Sequence, residues 1–152
     1  MLLQIPPDQL DLLRSALNKA GIREIGGQIF GQQLAVSYFS ATNISFQKRQ
    51  GTFARFVVDL MQAALDAIHF YSITEHKYDR FNYIGEWHSH PSFALHPSLT
   101  DIESMRSIVN DPEFKGNFAI LMIVRLDNEE LCAAAWLFDV KGNEFKIKVE
   151  AS

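Results

Sequence analysis

The chain has 152 residues, 47% of them of apolar type and twelve of them Phe, enough to bury one proper core without staples or repeats. Its formal net charge is −4 with Lys and Arg scattered, which argues against nucleic acid and against a basic membrane-surface helix. The single cysteine, Cys132 in "ELCAAAWLF", excludes an internal disulfide framework, suits a reducing cytosol and reads as a small hydrophobe in a strand.

The N-terminal "MLLQIPPDQL" has no basic signal region and no apolar run of bilayer length, so the expected location is cytoplasmic. Pro7 and "DQLDLLRSALNKAG" then read as a helix start, an amphipathic body and a glycine stop. Leu10, Leu12, Leu13 and Leu17 form its stripe, and Gly21 suits the position after the last turn. "REIGGQIFGQ" and "LAVSYFSATNISF" read as strands, with Gly26, Gly27 and Gly31 marking a bend or a close backbone approach. "GTFARFVVDL" alternates like a further strand, and "LMQAALDAIHFYSITEHK" has the spacing of a second helix packed on the sheet.

"RFNYIGEWHSH" returns to strand character through Phe81, Tyr83, Ile84 and Trp87. A proline-containing loop leads to a third helix over "TDIESMRSIVND". Thr100 and Glu103 have capping-box spacing at its start, and Asp111-Pro112 ends it. "NFAILMIVRL" and "ELCAAAWLFDV", joined by "DNE", read as a hairpin, followed by a last short strand after "KGNE". The series predicts one α/β domain over residues 1–152, a mixed β-sheet flanked by about three helices.

The chemistry concentrates in "GEWHSHPSFALHPSLTDIES". His88 and His90 lie two apart on a strand, so both side chains leave one face and can supply two corners of a tetrahedral zinc site. Asp101, at the start of the next helix, can fold back as the third corner, leaving the fourth for water as in catalytic rather than structural sites. Pro91 and Pro97 stiffen the intervening loop. Ser98 can point its hydroxyl at the mouth of the site, where a donor would meet an oxyanion. A His-x-His pair alone is commonplace. The full set of His, His, Pro, Ser and Asp at fixed offsets would arise by chance on the order of once in a hundred thousand such chains.

"HSHPSFALHPSLTD" resembles the His-x-His-Pro-x(6)-Ser-x-x-Asp signature of the JAMM (MPN+) zinc metallopeptidases, whose fold is cytidine-deaminase-like. The resemblance implies one Zn²⁺ held by His88, His90 and Asp101, with Ser98 steadying the tetrahedral intermediate. "EIGGQIFG" is similar to that family's upstream Glu-x-x-Gly-x-hydrophobic-x-Gly pattern, which would make Glu24 the general base acting on the zinc-bound water. Glu86 shares the histidine face of an ideal strand. It is expected to orient a ligand imidazole, with the role of base ranked after Glu24. His96 would close the coordination shell if it bound, so it is assigned to the substrate rim. His69 and His76 fall on the second helix and carry no function, and Trp87 should face the core.

By resemblance the substrate is a ubiquitin-like protein or its conjugate, cleaved at the C-terminal tail in deconjugation or precursor processing. The tail would lie extended along a sheet edge near the metal. Small bacterial relatives imply a pathway with E1- and E2-like proteins, including antiphage defence. A peptidase acting on a sulfur-carrier protein would use the same residues, and a non-catalytic MPN scaffold would lack the ligand set. A zinc deaminase needs a Pro-Cys-x-x-Cys pair that the lone Cys132 cannot supply.

Overall fold

In the computed structural model of the chain, which describes residues 1–47 and 60–152, strands and helices follow the order β1 (Leu2–Ile5), α1 (Pro7–Ala20), β2 (Gly26–Ala35), β3 (Tyr38–Ile44), α2 (Leu60–Ile73), β4 (Asn82–Ser89), α3 (Leu99–Asn110), β5 (Phe118–Asp127), β6 (Glu130–Asp139) and β7 (Glu144–Ala151). The mixed sheet and three helices agree with the sequence reading. The strand expected over "GTFARFVVDL" lies outside the described residues, apart from Leu60, which begins α2.

The sheet differs from an open one by closing on itself in the order β1-β3-β2-β4-β5-β6-β7. The closing piece is β1, four residues inside "MLLQIPPDQL" that were not expected to form a strand. It pairs in parallel with β3 on one side and with β7 on the other. β7, expected to be short, runs eight residues because it borders both β6 and β1. The β5–β6 hairpin turns through Asn128 and Glu129, both in the left-handed region, which matches the twist of the flanking strands.

Alternation along the strands divides the core in two. Ile120, Met122 and Val124 of β5 face the barrel interior with Ile84, Trp87, Leu137 and Ile147, where α1 adds Leu13 and Leu17. Ala119, Leu121 and Ile123 face outward beneath Met105 and Val109 of α3, beside Trp136 and Phe138. β5 therefore reads as an unbroken apolar run because both its faces are covered. On a third side, Phe70 of α2 stacks on Phe30 of β2 with ring centroids 4.6 Å apart.

Local details correct the expected helix faces. The buried stripe of α1 is Gln9, Leu13, Leu17 and Ala20, and Leu12 is half exposed. Gln9 is buried because its Oε1 accepts the Ile44 backbone N–H at 2.8 Å, satisfying a β3 donor. α2 stops at Ile73, short of the expected extension through Lys77. Thr74 Oγ1 donates to Phe70 O at 2.9 Å, and Glu75 and His76 turn left-handed without a glycine to announce it. His76 thus lies beyond the helix that carries His69.

At Gly31 and Gly85, as at Gly27, backbones approach where a side chain could not stand. A Cβ on Gly31 would sit 1.9 Å from Ser40 O of β3, the close approach expected from the sequence. A Cβ on Gly85 would sit 1.9 Å from Ile120 O of β5, and Gly85 has a φ of 157°. Replacing Gly85 by Ala should force β4 from β5 and lower stability by about 1–3 kcal/mol or more. Urea denaturation of G85A beside wild type measures this, and an unchanged midpoint would contradict the packing described.

Candidate metal centre

The site begins with the pleat of β4. Trp87 is fully buried in the barrel interior, where its Nε1 donates to Ser45 O at 2.9 Å. Ser89 is also buried, and its Oγ accepts the Ile25 N–H at 3.0 Å while its own N–H donates to Ile25 O at 2.8 Å. With these two facing inward, His88 and His90 must face outward toward the start of α3. Both are 8% exposed.

Asp101 reaches them from α3. The predicted capping box of Thr100 and Glu103 is displaced by two residues: Ser98 is the N-cap and Asp101 occupies the third helical position. Asp101 N–H donates to Ser98 Oγ at 3.1 Å, while Ser98 N–H and Ser98 Oγ–H both donate to Asp101 Oδ2 at 2.7 Å. Both residue pairs have the required spacing. Contact with the histidines favours the Ser98–Asp101 pair, because only there does the cap carboxylate meet imidazoles.

The three candidate ligands converge, with donor atoms all within 4.8 Å of one another. His88 Nε2 and His90 Nε2 are 3.1 Å apart, His88 Nε2 is 3.5 Å from Asp101 Oδ1, and His90 Nε2 is 3.9 Å from Asp101 Oδ2. Ligands at about 2.0–2.1 Å in a tetrahedron stand roughly 3.3–3.4 Å from each other, so this nitrogen and oxygen set fits a zinc-sized ion. His90 Nδ1 lies 2.9 Å from Ala94 O. In the neutral ring that contact assigns the proton to Nδ1 and leaves the Nε2 lone pair toward the ligand cluster.

Electrostatics favours an ionised Asp101. Partial burial acts to raise its carboxyl, but the hydrogen bond and charge of His88, with two hydrogen bonds from Ser98, outweigh it and hold the group well below the usual carboxylate range. Glu86 goes the other way. Burial pushes its carboxyl up, and neighbouring His88 and the Tyr83 hydroxyl only partly offset this. Burial and the adjacent Glu86 likewise push Tyr83 well up.

Tyr83 is a neighbour that simple alternation misses. β2 and β4 slip register so that Ile29 opposes Gly85 while Phe30 opposes Tyr83, leaving Ile84 as an extra residue. This bulge turns Tyr83 to the face of Glu86 and His88, while Ile84 and Trp87 both point inward. A glycine inside the β4 pattern was the available signal.

A cavity of about 700 Å³ opens over the cluster, lined by Glu24, Glu86, His96 and Thr100 together with the ligand residues and the Phe93–Ala94 turn. Glu24 is 6% exposed and lies two residues before β2, held there by the Ser89–Ile25 pair of hydrogen bonds. It lines the same cavity without joining the His88–His90–Asp101 cluster. His96 is exposed at the rim, with its ring 5.5 Å from that of Trp136. Cys132 on β6 is half-buried. Loss of water and the Asp127 carboxylate push its thiol up, the reverse of an activated nucleophile.

The Ser98 hydroxyl carries a strong test of this arrangement. Ser98→Ala should cost about 1 kcal/mol of stability through the lost cap and should loosen Asp101 from the imidazoles. Thermal unfolding and zinc titration of S98A check both; unchanged values in both would show that the cap does not hold the carboxylate.

Comparison with known proteins places these features in context. The sequence profile of prokaryotic homologs of the JAB domain matches residues 6–139. No curated protein matches the chain significantly. The solution structure of protein DSY2949 from Desulfitobacterium hafniense shares the fold at a TM-score of 0.69 and 14% identity, over 99% of this chain and 92% of that one. The crystal structure of AF2198, a JAB1/MPN domain protein from Archaeoglobus fulgidus, aligns at a TM-score of 0.49 and 19% identity over 97% of each chain.

Proposed function

The chain belongs to the family of prokaryotic homologs of the JAB domain, and on that premise we propose that it is a zinc-dependent peptidase or isopeptidase acting at the C-terminal tail of a ubiquitin-like protein. JAB/MPN domains include metallopeptidases, and the JAMM members among them use zinc. The observation that carries the reading is the convergence of two imidazoles and a carboxylate within 4.8 Å beneath an open cavity that also holds Glu24.

His88, His90 and Asp101 would hold the metal. Zinc in such a set supplies a Lewis acid that polarises a carbonyl and makes water nucleophilic near neutral pH. Glu24 takes a proton from the attacking water on its carboxylate and passes it to the departing nitrogen. Ser98 keeps Asp101 oriented in the resting protein, because its hydroxyl proton already points to Asp101 Oδ2. Acting as oxyanion donor would require that hydroxyl to turn from Asp101 to the substrate. Glu86, whose burial favours the protonated form, lines the cavity without displacing Glu24 from the role of base.

β4 is paired on one side with β2 and on the other with β5, so the histidine strand has no free edge for a substrate strand to extend. The tail of a ubiquitin-like protein instead meets the cavity walls: the Phe93–Ala94 turn, His96, and the first turn of α3 at Thr100. A sulfur-carrier protein is a substrate of the same kind for this cavity. E1- and E2-like proteins are the pathway partners this reading implies.

The decisive measurement is metal content of wild type beside His88→Ala, paired with cleavage of a C-terminally extended ubiquitin-like protein. Wild type should retain about one zinc per chain, with metal and cleavage lost together in H88A. Wild type that neither contains nor accepts zinc would leave a non-catalytic scaffold. Glu24→Gln separates base from ligand: it should keep its zinc and lose turnover by about 10²–10⁴-fold. Near-normal turnover in E24Q would transfer the base to another group.

A further inference from the structure

We infer that Arg125, at the end of β5, is a positioning residue that fixes the ring of His90 by clamping the turn over which that ring is hydrogen-bonded. The inference rests on the reading of His90 as a metal ligand and adds a residue outside the ligand signature. Arg125 Nη1 donates to Phe93 O at 2.8 Å, across 32 residues of sequence. The next carbonyl along the chain, Ala94 O, is the one that lies 2.9 Å from His90 Nδ1. Two consecutive carbonyls of one turn are therefore taken by the guanidinium and by the imidazole.

The backbone of the same region makes the clamp rigid. His90 N–H donates to Val124 O at 2.9 Å, so the residue preceding Arg125 holds the main chain of His90 while Arg125 holds the turn beyond it. Arg125 is itself fixed: its Nη2 lies 2.6 Å from Asp127 Oδ2, and its side chain is 28% exposed. Cys132, opposite Arg125 in the β5–β6 pairing, places its Sγ 3.6 Å from the same Asp127 oxygen. A planar guanidinium can serve the carbonyl and the carboxylate at once because its donors are set in a fork.

The physical consequence concerns the tautomer of His90. The turn Phe93–Ala94 is exposed, and within its own loop it is held by His96 N–H on Ala94 O at 2.8 Å and by Phe93 N–H on His90 O at 3.4 Å; Arg125 adds a tie from β5. With Arg125 in place, Ala94 O stays in reach of Nδ1, and the lone pair of the neutral ring stays on Nε2. Without it the turn keeps only those short-range bonds, Ala94 O drifts from Nδ1, and the second tautomer becomes populated.

Arg125→Ala, Arg125→Lys and Asp127→Asn test this on the full chain. In metal-free protein, ¹⁵N NMR of the His90 ring should show one tautomer, protonated on Nδ1, in wild type. R125A should show exchange between two tautomers. Zinc titration should find the R125A dissociation constant raised about 10-fold, the low end of the range for losing the imidazole's own partner, because Arg125 acts on that partner through the turn. R125K, which keeps a cationic donor for Phe93 O, should recover most of the affinity, and D127N should show a smaller shift in the same direction. If R125A does not fold, D127N and R125K carry the comparison. Folded variants with wild-type ring signals and wild-type zinc affinity would overturn the inference. Failure of wild type to bind zinc would sink the peptidase reading, while the ring signals in metal-free protein would still decide the role of Arg125.

Discussion

The pleat of one strand governs the site. Trp87 and Ser89 are held in the barrel interior by packing and by hydrogen bonds to Ser45 O and Ile25, so His88 and His90 can only face out. Because side chains alternate with a period of two, a one-residue slip of β4 would bury both imidazoles and expel Trp87. Parallel pairing with β5 over Gly85–Ser89 and antiparallel pairing with β2 prevent that slip from both edges.

On that fixed face, a single carboxylate joins two tasks. Asp101 accepts Ser98 hydrogen bonds as part of a helix cap, and it presents its other oxygen to His88. A capping carboxylate sits at the positive end of the helix, where ionised oxygen is favoured. The interactions that start α3 are thus the ones that keep the Asp101 carboxylate charged and aimed at His88. α3 in turn is anchored by Met105 and Val109 on the outward side chains of β5 and β6, so the outer core sets the distance between helix start and histidine strand.

The same economy of placement extends to residues with no ligand role. Ser89 seats the segment carrying Glu24 by bonding Ile25, and a bulge at Ile84–Gly85 brings Tyr83 to Glu86. Pairing with β2 and β5 leaves the histidine strand without a free edge, and the cavity opens instead above the loop and the first turn of α3.

Much of this was legible in the sequence because it is local. Two-residue spacing put His88, His90 and Glu86 on one face and Trp87 on the other, and the helix bodies followed from their apolar periods. Sequence order alone could not choose between Thr100–Glu103 and Ser98–Asp101 as the cap, since both have the right offset; contact with His88 chose. The left-handed stop at Glu75–His76 carried no glycine, so the helix was read too long. β1 was missed because four residues show little pattern, and their partners Tyr38 and Lys148 are far along the chain. Ala94 O and Arg125 had no signal, because a backbone carbonyl is the same in every residue and its partner is known only when the chain has folded. The amino-acid sequence by itself determined the donor types, their spacing and the face they share. Tertiary structure decided which carboxylate meets them, how the sheet closes and what holds the His90 ring, because these depend on contacts between segments that local periodicity does not encode.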